Sequence, residues 1–181
     1  IILNKRFSFN DYYNRSVLKK IVPHRLKKSI TNVINKNLIK KQKRWIDKNK
    51  SIYNYIRFEY VNQFDLHTEE FIQQHNKNEL FRRNSQVLNW VIDYPWVLGT
   101  PINDWFHDKY YFSSTSRKFN FINIIIYDLK NQLVGLLMLK ERDEHLTIPY
   151  IYFDNDYLVT ITKLLVLHIF HSDISTISTF N

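Results

Sequence analysis

Two spacings of apolar residues divide the chain. In the first fifty residues, Leu26, Ile30, Val33, Ile34, Leu38 and Trp45 lie mostly at spacings of three and four, and Lys27, Lys28, Lys36, Lys40, Lys43 and Arg44 take the other face. That period predicts a helix from about His24 to Asp47. A shorter helix is predicted over Asp11–Val22, stopped by Pro23, which has no N–H for the helix ladder. From Ser51 the period shortens. Ile52–Val61 is rich in aromatic and β-branched residues and partly alternates, which predicts a strand. Asp65 is placed as an N-cap, with Glu69 and Glu70 following where the helix dipole favours acids. The helix it opens runs to about His75 and should bury Leu66, Phe71 and Ile72. The next is predicted over Leu80–Tyr94, with Phe81, Val87, Leu88, Val91 and Ile92 inward and Pro95 as its stop.

Residues 96–118 form an aromatic-rich connection, expected to cap one side of the core. Phe121–Tyr127 and Gln132–Lys140 are strong strand runs separated by Asp128, Leu129, Lys130 and Asn131, a hairpin turn composition. His145–Phe153 is a third strand, completing an antiparallel meander. Asn155–His171 is almost wholly apolar and too long for a strand, so it predicts a buried helix capped by Asp154 or Asn155. Ile174–Phe180 is a final strand. Strand, buried helix and strand make a βαβ unit whose two strands should run parallel.

Composition narrows the chemistry. The 181 residues include no Cys, which excludes disulfides, zinc–thiolate sites and a Cys nucleophile. Two glycines, Gly99 and Gly135, are too few for a glycine-rich phosphate loop. The net charge of +9 is uneven: residues 1–50 hold 15 of the 26 basic residues and two of the 17 acidic ones. A basic lead segment suits a neighbouring domain or weak contact with an anionic membrane. It carries no nucleic-acid-binding motif, and its basic residues form one face of an amphipathic helix, so nucleic acid is not the expected partner. Ile1–Arg6 lacks the apolar stretch of a secretory signal, and the longest apolar run, Leu164–Phe170, is short and interrupted by His168. The expected location is the cytoplasm.

From residue 52 the order is strand, two helices, three-stranded meander, helix, strand. The runs Asp65–Phe71, Leu88–Trp96, Tyr111–Ser114, Ile125–Tyr127 and Val134–Leu137 carry an element order and aromatic pattern that resembles the first two-thirds of the GNAT acyl-CoA N-acyltransferase fold. They look like bacterial GNAT-like proteins in which a second acyltransferase-like domain follows a first. The resemblance implies an α+β (mixed α/β) fold, with residues 1–50 as a basic helical extension and residues 51–181 as a partial GNAT-like domain. The family's last helix and strands have no counterpart before Asn181, so it also implies residues outside this chain.

In that family the strand before the buried helix splays from the strand after it. The pantetheine arm of acyl-CoA lies in the gap, and the pyrophosphate sits on amides at the helix N-terminus. Carried over, the cofactor-binding positions are Ile151, Tyr152, Phe153, Asp154, Asn155, Asp156 and Tyr157, with acyl-CoA or acetyl-CoA as co-substrate. The loop departs from the family pattern: it has no Gly and two aspartates, which would take the amides and repel the pyrophosphate. For catalysis, Glu144 (with Glu141) is in the region where the family places its base, and Tyr150 (with Tyr152) could donate to the departing thiolate. The competing readings are a charged, solvated turn over Lys140–Glu144 and two tyrosines packed on one sheet face. His168 and His171 are three apart on the last helix, but no third ligand is apparent, so no metal is expected. His67 reads as a surface residue, and Trp90, Pro95 and Trp96 as core and helix-stop residues. Two functions remain: acyl transfer from acyl-CoA to an amine, or a non-catalytic GNAT-like binding or scaffolding module supporting a partner domain.

Overall fold

The computed structural model describes residues 2–4, 26–77, 81–99, 114–172 and 174–179. It is a mixed α+β structure. Strands β1 (Ile2–Asn4), β2 (Ile56–Val61), β5 (Phe119–Asp128), β6 (Leu133–Arg142), β7 (His145–Phe153) and β8 (Thr176–Thr179) form one sheet in the order β1-β8-β7-β6-β5-β2. A separate parallel pair joins β3 (Val97–Gly99) to β4 (Ser114–Ser116). The helices are α1 (Lys27–Asn49), α2 (Leu66–His75), α3 (Ser85–Asp93) and α4 (Leu158–His171).

The meander β5-β6-β7 is antiparallel, and β7 and β8 are parallel neighbours joined through α4. Alternation along the strands builds two cores. Ile124, Ile126, Leu137, Leu139, Leu146 and Ile148 cluster with Ile161, Leu164 and Leu167 of α4. On the other face Leu136, Met138 and Tyr152 cluster with Phe71 and Ile72 of α2 and Leu88 of α3. Each fully buried Leu or Ile contributes about 1.5–3 kcal/mol relative to exposure, so the central strand β6, buried on both faces, anchors the fold.

Local signals act where expected. The Asp65 carboxylate accepts from the Thr68 N–H at 3.0 Å and opens α2. In the β5–β6 turn, Asp128 Oδ1 accepts from the N–H groups of Lys130 and Gln132, and Asn131 takes the left-handed conformation (φ 64°) that Asn tolerates.

Several elements differ from the sequence pattern. Lys50–Asn54 is a 3-10 turn, and β2 starts only at Ile56, because Ile52 enters the core from that turn. Helix α3 starts at Ser85, not near Leu80, since Asn84 caps it by accepting from the Val87 N–H at 2.9 Å. Phe81 thus lies outside the helix and is exposed, as are Val87 and, on α2, Leu66 beside its cap. Trp90 and Trp96 are 59% and 65% exposed: they are surface residues and not core. Residues 96–118 contribute β3 and β4, while Trp105, Phe106, Tyr110, Tyr111 and Phe112 lie outside the described residues, as does the helix expected over Asp11–Val22. The late apolar segment starts with a 3-10 turn, Asn155–Tyr157, and exposes Leu158 and Val159 before its helix turns inward.

The basic lead segment joins the same body. Trp45 of α1 meets Phe170 of α4 edge-to-face, with ring centroids 5.5 Å apart, and Trp45 and Ile46 pack on the core beneath α4. The other end of the stripe is looser, with Leu26 and Val33 exposed. Strand β1 pairs antiparallel with β8, Leu3 facing Ile177. No periodicity signals a three-residue strand, and its place follows only from the β8 edge it meets.

Candidate functional site

The site implied by the resemblance lies along the C-terminal half of β7 and the turn into α4. The β7–β8 ladder runs from His145 opposite Thr176 to Ile148 opposite Thr179. Pro149 follows and has no N–H to donate. At the same point the β6–β7 register shifts: Met138 pairs with Tyr150 but Lys140 with Thr147, so β7 carries one extra residue there, a bulge. Tyr150–Phe153 pairs with β6, and the β7–β8 ladder extends as far as Thr179, the last described residue of β8.

The β7–β8 ladder is clipped by a residue the sequence did not single out. His145 lies within hydrogen-bond distance of two β8 hydroxyls, with Nδ1 2.6 Å from Thr176 Oγ1 and Nε2 2.8 Å from Ser178 Oγ. The backbone carbonyl of Glu144 accepts from the N–H groups of Ser175 and Thr176.

In the C-terminal half of β7, Tyr152 is buried among Ile72, Leu136 and Met138, and Tyr150 packs beside it with the Arg83 guanidinium 5.0 Å from its ring centre. Ile151 points the other way and is exposed. Glu144 and Tyr150 do not meet. Six residues of near-extended chain separate them by roughly 20 Å, with Glu144 just before the β7–β8 ladder and Tyr150 beyond the bulge.

The turn into α4 departs from expectation. Neither Asp154 nor Asn155 caps the helix, since no side chain accepts from its first amides. Asp154 is drawn aside by His75, whose Nε2 lies 2.9 Å from Asp154 Oδ1. The other ring nitrogen of His75 donates to the Phe71 carbonyl at 2.8 Å, so the ring ties the end of α2 to this turn. The turn is acidic. Partial desolvation, followed by the carboxylates of Asp128, Asp154 and Asp156, holds the Tyr157 phenol above its ordinary value.

The turn Lys140–Glu144 is not simply solvated. Glu141 is 4% exposed and pairs with Lys118, with Nζ 2.8 Å from Oε1. Asp143, at φ 54°, accepts at Oδ1 from the N–H groups of Arg117 and Lys118 and from the Ser116 hydroxyl. These bonds, the Lys118 N–H first, hold its carboxyl below the ordinary value.

The carboxylates around the α4 N-terminus do not suit the pyrophosphate of acyl-CoA. Among the described residues no group of three His, Asp or Glu could hold a metal ion, and no helix is long and apolar enough to cross a membrane. No protein-family model matches this chain, and no curated protein matches it.

Proposed function

We propose that this chain is a GNAT-like module that supports a partner domain without taking acyl-CoA. The observation that carries the reading is the acidic turn into α4, where Asp154 and Asp156 neighbour Tyr157 in the chain and Asp128 Oδ2 of the β5–β6 turn lies 3.5 Å from its hydroxyl. Like charges about 4 Å apart repel by about 1 kcal/mol even in water and by more near a protein surface. A pyrophosphate approaching these amides would meet several carboxylates at once. The separation of Glu144 from Tyr150 supports the same reading, because a base and an acid for one acyl transfer must reach the same atoms. A partner domain is favoured by the exposed aromatic set Trp90, Tyr94 and Trp96 on and after α3. Apolar surface of this kind marks protein contacts.

The acyltransferase reading, transfer from acyl-CoA to an amine, is favoured by the parallel β7–β8 pair joined through α4 and by the bulge in β7 beside Pro149. Acetyl-CoA titration followed by melting temperature separates the two. A ligand at about 100 times its dissociation constant stabilises the native state by roughly 2.7 kcal/mol. The module reading expects no shift at millimolar acetyl-CoA, and a saturable rise would return the chain to the enzymes. Liposome sedimentation examines the basic lead segment in parallel. A salt-sensitive preference for anionic vesicles would add a membrane contact through residues 1–50, and equal binding to neutral vesicles removes it.

A further inference from the structure

We infer that the cleft between β2 and the last turn of α4 binds a small aromatic carboxylate, with its ring against the tyrosines and its anionic group at Tyr60 and Lys50. This site is separate from the turn into α4 and goes beyond the module reading. The cleft measures about 410 Å³ and is lined by Lys50, Tyr53, Phe58, Tyr60, Leu164, His168 and His171. Its walls are aromatic. Tyr53 and Phe58 lie 5.8 Å apart at 37°, and Phe58 meets Tyr60 at 5.9 Å and 87°, so the rings offer both a face and an edge to a planar guest. Among the described residues no carboxylate lines the cleft. Asp47, outside it, lies 3.2 Å from Lys50 Nζ, and the ammonium has three donors.

The polarity of the Tyr60 hydroxyl follows from a buried nitrogen. Tyr60 Oη lies 3.0 Å from His168 Nδ1, while His168 Nε2 is buried with no hydrogen-bond partner. If Tyr60 donated to Nδ1, a neutral ring would carry its proton on Nε2 and bury an unsatisfied N–H. If Nδ1–H donates to Tyr60, Nε2 holds only a lone pair, the less costly orphan. The second arrangement releases the Tyr60 O–H as a donor toward the cleft. Burial, and next the neighbouring Tyr53, raise the Tyr60 phenol above its ordinary value, so it keeps that proton. His171 donates its own Nδ1–H to the Leu167 carbonyl at 2.8 Å, which orients its ring at the rim. A donor hydroxyl and an ammonium beside tilted and edge-on rings, with no acid among the described lining residues, select a planar anion.

The experiment is a titration of the full chain with 4-hydroxybenzoate, read on the histidine ring resonances of a ¹⁵N,¹³C-histidine-labelled sample. Saturable shifts at His168 and His171 are expected, with acetate and benzyl alcohol, each lacking one half of the recognition, giving none. Tyr60→Phe should weaken binding at least about tenfold, the usual weight of a hydrogen bond to a charged group, and Lys50→Met should weaken it as well. Both residues lie at the surface, and circular dichroism of each variant confirms that it is folded. Free His168 should show the Nδ1–H tautomer. The opposite tautomer, binding unchanged in Tyr60→Phe, equal shifts with acetate, or no shift at 10 mM 4-hydroxybenzoate, roughly the weakest affinity worth calling specific, would each overturn the proposal.

Discussion

Gly135 of β6 lies directly under Ile161 of α4: a Cβ placed on it would come within 2.6 Å of Ile161 Cδ1 and 3.3 Å of Ile126 Cδ1. Both isoleucines are fully buried, so neither has room to turn away. The missing side chain sets how closely the helix approaches the sheet. Gly135→Ala should destabilise by about 1–3 kcal/mol, the usual cost of overpacking. That corresponds to a fall in melting temperature of about 2–4 °C per kcal/mol for a chain of this size. Adding Ile161→Val, which deletes the clashing methyl, should restore part of the loss. Strictly additive losses in denaturant titrations would count against the contact.

Glu141 and Lys118 make an asymmetric pair, the carboxylate side chain 6% exposed and the lysine 58%. Lys118→Met strands a buried charge and should cost about 1–3 kcal/mol. Replacing both members, with Glu141→Leu added, should recover much of that loss, because the stranded charge is what costs most. Chemical denaturation of the two variants decides the matter. A double variant weaker than Lys118→Met would mean that the carboxylate has a further role.

His168 makes stability depend on pH. Burial first, and next the neighbouring His171, push its imidazole below the ordinary value, against an opposing pull from Glu141. The unfolded chain therefore takes up a proton near pH 6.5 that the folded chain resists, so the unfolded state binds more protons. Stability from this group is complete above the unfolded value and declines as pH falls from there toward the folded value. Melting curves between pH 8 and 5 should slope downward on acidification, and His168→Gln should flatten the slope. An unchanged slope in that variant would place the proton uptake elsewhere.

Asp143 acts at lower pH. Its carboxyl is held below 3.8, chiefly by the Lys118 N–H, so its contribution is complete above that value and is lost as pH falls through the folded value. Two substitutions separate its side chain from its backbone. Asp143→Gly keeps the left-handed conformation and loses the acceptor, whereas Asp143→Ala loses both. Alanine should be the weaker by about 1 kcal/mol, the penalty of a Cβ in that conformation. Equal melting temperatures would show that the backbone angle costs nothing there.

Where structure depends on neighbours in sequence, the residues announced it. Asp65 caps α2, the composition of Asp128–Asn131 turns the hairpin, and the bounds of β7 fall where its pattern begins and ends. The parallel β7–β8 pairing was legible too, because a strand joined to the next through a helix has few other places to go. The candidate site was less open to reading. Asp154 has the right type and place for a cap, and only the approach of His75, 79 residues earlier, takes its carboxylate away. The run around Glu141 reads as a solvated turn, yet in the fold that acid is 4% exposed and paired with Lys118, 23 positions earlier.

By itself the sequence determined the periods, the caps, the turns and the greasy segment that had to be covered, since these rest on interactions a few residues long. Tertiary structure alone decided that Ile2–Asn4 borders β8, that His145 clips the two parallel strands, and that Tyr60 meets His168 across 108 residues. Such contacts have no local signature. Each exists because burial of the apolar faces brings distant polar groups together, and a group removed from water must find its partner among whatever the fold has placed beside it.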